Sequence, residues 1–157
     1  LGHCNNAENF DRFLRQLYTT TMVEVVNETS IADEETGNTS PIFITEKFAN
    51  SVHALHIPIV CSSPGTVAYL EKLGFDMFRD IVNTEYDNEN NNTLRIHHAI
   101  KNNSWLLNDF ARVFELWQTN YDRLVKNRSR LRYIISNFTV DNLRFTKDLI
   151  NTLLSQR

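Results

Sequence analysis

The sequence predicts an α/β domain: a small parallel sheet flanked by helices, with a helical extension at the C-terminal end. Three observations carry this. Strand-like runs at 20–26 and 57–61 alternate with segments whose apolar residues recur at helical spacing. The second run, Ile57-Pro58-Ile59-Val60-Cys61, is almost unbroken apolar, as a strand buried on both faces requires. Beyond residue 103 no strand pattern recurs. We therefore divide the chain into an α/β core, 1–103, and a helical extension, 104–157, packed on the same domain.

The elements follow in order. Phe10, Phe13, Leu14 and Leu17 share one face of a predicted helix over 7–18. Thr20 to Val26 is β-branched and reads as a strand. Residues 27–41 hold Asn, Asp, Glu, Ser, Gly37 and Pro41, a loop composition. Thr45 is the expected N-cap of a helix whose apolar positions are Phe48, Val52 and Leu55. After the 57–61 strand, Ser63 is expected to cap a further helix with Pro64 at its first position. Val67, Leu70 and Leu73 supply its buried stripe, and Gly74 its C-terminal cap. A polar loop spans 83–92 and a short helix 93–102. Residues 104–136 read as one long helix or two, with Trp105, Phe110, Phe114, Trp117, Tyr121 and Leu124 on the apolar face. A last helix is expected over 138–154.

Bulk properties exclude several classes. No stretch approaches the roughly 20 apolar residues that span a bilayer. Cys4 and Cys61 are too few for a disulfide framework, and Cys61 is expected as a buried free thiol. The expected setting is reducing: cytoplasmic, or intracellular in a viral or bacterial context. Six glycosylation sequons, at Asn27, Asn38, Asn91, Asn102, Asn127 and Asn137, are read as chance products of an Asn-rich chain. Residues 1–120 carry eight basic and sixteen acidic side chains, whereas 121–157 carry eight basic and three acidic. Arg123, Lys126, Arg128, Arg130 and Arg132 could meet nucleic acid, but a solvated amphipathic helix face is the preferred reading.

Ligands of an open parallel sheet bind beyond the carboxyl ends of its strands, where helix N-termini offer free N–H groups to phosphate. Thr45-Glu46-Lys47 would place a hydroxyl, a carboxylate and an ammonium in one first turn. Ser62-Ser63-Pro64-Gly65 would supply a second helix start with hydroxyls. On spacing alone both remain readable as ordinary caps. His53 and His56, three apart, could share a helix face, but nothing completes a metal set, and no metal is expected. Adjacent His97 and His98 diverge by some 100° on a helix.

These motifs carry a resemblance. Phe43-Ile44-Thr45-Glu46-Lys47, then Ile57-Pro58-Ile59, then Ser62-Ser63-Pro64, resembles the donor-site signature of the α1,3-fucosyltransferases. Phe13-Leu14 and the strand Met22 to Val26 with Glu28 fit the preceding part, so the likeness covers roughly 10–70. Leu73-Gly74-Phe75-Asp76-Met77-Phe78 and Tyr86-Asp87 look like a pattern in uncharacterised viral and bacterial glycosyltransferase-like proteins. The resemblance implies a Rossmann-like half of a GT-B fold, the part of a glycosyltransferase that holds the donor, with no tightly bound cofactor. The substrate it implies is a nucleoside diphosphate sugar, a GDP-sugar favoured, with fucose or a related sugar passing to a glycan acceptor. Lys47 would contact the diphosphate and Glu46 the ribose or sugar. Glu28 would share the cleft, with Thr45, Ser62 and Ser63 lining it. The general base would come from an N-terminal acceptor domain outside this chain, and a homo-oligomer is the other expected association. Departures are Phe43 for the family's Tyr, Asn27 and Thr29 around Glu28, Cys61-Ser62 for a more Gly-rich approach, the acidic loop 30–40, and only Arg12 or Arg15 for an upstream basic residue. They favour the alternative, a non-catalytic interaction domain with a degenerate half-fold.

Overall fold

A computed structural model describes residues 16–28 and 42–137. The predicted positions Phe10, Phe13 and Leu14, the loop 30–40, Arg12, Arg15 and the helix 138–154 lie outside them. The described chain is α/β, with a two-stranded parallel sheet flanked by helices. Strand β1, Val23–Asn27, pairs with β2, Ile57–Cys61, in register Val23↔Ile57 to Asn27↔Cys61. Helix α1, Glu46–His53, connects them. The strand begins later than the predicted residue 20. Residues 16–20 are helical, and the hydroxyls of Thr20 and Thr21 bond back to carbonyls of that turn.

Strand β2 is buried along its whole length, as its unbroken apolar run predicts. Helix α1 buries Phe48, Ala49, Ser51 and Val52 against both strands. It ends at His53. Leu55 takes a left-handed φ of 64°, so the helix cannot carry on to His56. Trp117 Nε1 donates to the Leu55 carbonyl at 2.8 Å and holds that turn. His53 and His56 therefore do not share a helix face, contrary to the spacing argument. His56 is 2% exposed, its Nδ1 2.9 Å from Glu24 Oε2 and its Nε2 3.1 Å from Thr21 Oγ1.

Helix α2, Thr66–Lys72, buries Val67 and Leu70. Ser63 does not cap it and Pro64 is not its first residue. The Thr66 N–H instead bonds the Ser63 carbonyl at 3.2 Å, and Gly65, at φ 79°, is the cap. Proline followed by a left-handed glycine makes a tight type II turn, which competes with the proline-first helix start. Gly74 does close the helix. At φ 91° it lets its N–H reach the Glu71 carbonyl and that of Phe75 reach Leu70.

Helix α3, Asn92–Asn102, is capped by Asn91, whose side chain accepts the Leu94 N–H at 2.9 Å. The segment 104–136, read as one long helix or two, is three: α4, Ser104–Asn108; α5, Phe110–Thr119; and α6, Tyr121–Asn137. Asn103, Asp109 and Asn120 break it in non-helical cap conformations, offering local hydrogen bonds in place of the helical ladder. Each break rotates the apolar stripe. Leu106, Val113, Leu124, Leu131 and Ile134 are buried, while Phe110 is 71% exposed and Phe114 and Tyr121 are exposed too.

Helix α6 grips the segment that leaves α2. Arg123 bonds Asp76 at 2.6 Å and Asp80 at 2.8 Å, and stacks over Phe78. Asn127 accepts the Asp76 N–H and donates to the Asp76 carbonyl, each at 2.8 Å. Arg130 Nε donates to the Leu73 carbonyl. Two of the five basic residues read as a possible nucleic-acid face thus hold the fold together. Asn127 is 5% exposed with both amide atoms engaged, so its sequon is closed to a glycan in the folded chain. The Arg123 hydrogen bonds hold both aspartates below the usual carboxylate range. A carboxyl with a depressed folded pKa stabilises above its ordinary value, and that contribution is lost as pH falls through the folded one. Arg123→Ala is expected to cost about 1–2 kcal/mol at neutral pH, solvent screening of the half-exposed partners limiting the effect. Thermal unfolding in acid should show that cost shrinking.

Candidate functional site

Parallel pairing in this register brings Glu28 and Ser62 side by side, each one residue past the carboxyl end of its strand. The Glu28 N–H extends the ladder to the Cys61 carbonyl at 2.9 Å. The Glu28 side chain is 1% exposed. One carboxylate oxygen accepts the Thr45 N–H at 3.1 Å and the other accepts the Thr45 hydroxyl. The Thr45 hydroxyl in turn accepts the Lys47 N–H at 3.2 Å, the N-cap bond expected of it. Lys47 Nζ donates to the Asn27 carbonyl at 2.9 Å. The end of β1 and the first turn of α1 are thereby tied together through Glu28, Thr45 and Lys47. Glu46, between Thr45 and Lys47, is exposed.

The second helix start is arranged differently. Ser62 and Ser63 are buried, at 5% and 2%. The Ser62 hydroxyl has no hydrogen-bond partner among the described residues. The Ser63 carbonyl accepts the Thr66 hydroxyl at 2.7 Å. The free N–H groups of α2 are already taken by Asp87, which is 4% exposed. Its two carboxylate oxygens accept the Val67 and Ala68 N–H at 3.1 and 3.2 Å, and its own carbonyl accepts Gly65 N–H at 2.9 Å. An internal carboxylate thus occupies the position where a phosphate was expected.

Sequence reasoning noted Tyr86-Asp87 only as a pattern and missed this cap. Asp87 lies in the 3-10 turn Glu85–Asn88, where its own N–H bonds the Thr84 carbonyl at 3.0 Å and its carboxylate is left to reach outward. Its distance from α2 in sequence hid the long-range partner. Burial pushes the Asp87 carboxyl up, with the two amide donors and the Arg79 and Arg95 charges opposing. Burial also pushes the Cys61 thiol up to about 11, so it stands protonated, as expected of a packed free cysteine.

Of the predicted site residues, the structure joins Glu28, Thr45 and Lys47, buries Ser62 and Ser63 beside them in the strand register, and leaves Glu46 on the surface. No group of three or more potential metal ligands occurs among the described residues. No helix among them is long and apolar enough to cross a membrane. Comparison with known protein families, curated proteins and solved structures returned no match.

Proposed function

We propose that the carboxyl end of the sheet binds a nucleoside diphosphate sugar, as the donor-binding part of a glycosyltransferase with a Rossmann-like, GT-B type half-fold. The observation that carries this reading is the convergence of Glu28, Thr45 and Lys47 at the mouth of two parallel strands. Helix α1 supplies the positive end of its dipole there, and Lys47 adds a full charge beside it. A diphosphate sits against Lys47, and exposed Glu46 accepts hydrogen bonds from ribose or sugar hydroxyls. Glu28, already bonded twice to Thr45, orients that turn and does not reach the ligand. The general base for sugar transfer comes from outside the site.

A second reading, a non-catalytic interaction domain, is favoured by Asp87, which removes one of the two expected phosphate-binding helix starts. Calorimetric titration of the chain with UDP, GDP and their sugars separates the two. We expect saturable binding to one nucleotide, weakened about tenfold or more in Lys47→Ala. Absence of heat with all of them would hand the site to the second reading.

A further inference from the structure

At the amino end of the sheet three side chains stand in hydrogen-bond sequence. The Thr21 hydroxyl oxygen lies 3.1 Å from His56 Nε2, and His56 Nδ1 lies 2.9 Å from Glu24 Oε2. Thr21 and His56 are thirty-five positions apart in the chain. The parallel register that pairs Val23 with Ile57 sets the residues leading into the two strands side by side.

A hydroxyl, an imidazole and a carboxylate in this order are a nucleophile, its base and the group that orients the base. Their burial suits those roles. Thr21 is exposed, the His56 side chain is 1% exposed behind it, and the Glu24 side chain is 24% exposed. A carboxylate only accepts, so Glu24 holds the ring with a hydrogen on Nδ1 and leaves Nε2 to face Thr21. The Tyr18 carbonyl, 3.1 Å from Nε2, is placed to accept the hydrogen that Nε2 takes up. The Tyr18 ring stacks on the imidazole, with centroids 5.6 Å apart, and fixes its plane. At rest the Thr21 hydroxyl donates to the Leu17 carbonyl at 2.8 Å. Rotation about the Cβ–Oγ bond alone turns that hydrogen toward Nε2, because both partners are within reach of one oxygen.

Thr21 also lines an open groove of about 230 Å³, together with Val23, Leu106, Leu107, Asn108 and Phe110. That is below the about 300–1,000 Å³ of pockets for drug-sized ligands, so it suits a short apolar chain. The Asn108 amide gives one hydrogen to the Ser104 carbonyl at 2.6 Å. Its nitrogen carries two, and the second can serve an oxygen anion in the groove.

We propose that Thr21, His56 and Glu24 hydrolyse esters of short acyl chains, the acyl group lying in this groove. His56 Nε2 takes the Thr21 hydroxyl proton as Oγ1 bonds to the acyl carbon. It passes that proton to the departing alkoxide as the ester C–O bond breaks. Water then adds to the acyl carbon, and its proton travels through Nε2 to Thr21 Oγ1 as the second C–O bond breaks. An alcohol and a carboxylic acid leave, Thr21 is restored, and water is the one co-reactant. Thr21 and His56 are the catalytic residues; Glu24 acts through His56 as a positioning residue.

The test is release of p-nitrophenol from p-nitrophenyl acetate and butyrate by the full chain. Saturable turnover is expected, with an acyl adduct on Thr21 in the mass spectrum after an acid quench. Thr21→Ala should lower kcat about a thousandfold or more, and Thr21→Ser, which keeps the hydroxyl, should retain turnover. Asn108→Ala, at an exposed position, should lower kcat about a hundredfold. Glu24→Gln should lower it about a hundredfold or more and move the ring hydrogen of His56, read in its nitrogen resonances, which a merely structural role would leave in place. Turnover no faster than with free imidazole overturns the proposal. So does turnover that survives Thr21→Ala in the folded chain, or an acyl adduct on another residue.

Discussion

Asp87→Ala is expected to lower the stability of the folded chain by about 2–4 kcal/mol, read as a shift of the urea midpoint at unchanged slope. The reason is the number of groups one side chain satisfies. Its carboxylate accepts the N–H groups of both Val67 and Ala68, and Val67 is fully buried. Alanine leaves both donors without an acceptor, and water reaches the first of them poorly. The α2 terminus also loses the negative charge that its dipole favours.

The pH dependence has a definite sign. Burial raises the folded-state pKa of Asp87, so the folded chain holds this proton more tightly than the unfolded chain. Its contribution to stability therefore grows as pH falls through the raised value, the reverse of the Asp76 and Asp80 contributions. The gap between the native chain and Asp87→Ala should widen from neutral pH into mild acid. A gap that narrows there would mean that the ionised form is the one the fold favours.

The second large effect is expected at Glu28. Glu28→Ala removes the acceptor of two Thr45 donors at a buried position and should cost about 2–4 kcal/mol in the same urea measurement. It should also free the first turn of α1 from the end of β1, so the nucleotide binding proposed at Lys47 is expected to fall with it. Glu28→Gln retains a carbonyl oxygen for one of the two donors and should recover part of both losses. Full nucleotide affinity in a folded Glu28→Ala chain would show that Glu28 does not position the α1 turn.

How much of this was readable beforehand follows from the range of the interactions. The elements of the α/β core were legible where local signals agree: the Thr45 cap, the apolar run of β2, the Gly74 close of α2, the 92–102 helix. The likeness to a donor-site signature named Glu28, Thr45 and Lys47, and the fold brings those three together. Missed were the turn at Ser63-Pro64-Gly65, where a type II turn and a proline-first helix share the same residues, and the helix end before His56, where a leucine takes a conformation usually left to glycine. The helix breaks at Asn103, Asp109 and Asn120 were hidden because the apolar spacing runs across them.

By itself the sequence determined local structure where periodicity and capping agree within a few residues: the buried run of β2, the Thr45 cap and buried face of α1, and the Gly74 close of α2. Only the tertiary structure decided what the helix termini hold. Asp87 reaches Val67 across twenty positions and Glu28 reaches Thr45 across seventeen. A buried N–H accepts whichever carboxylate the folded chain places against it, and that choice is made by packing, not by neighbours in sequence.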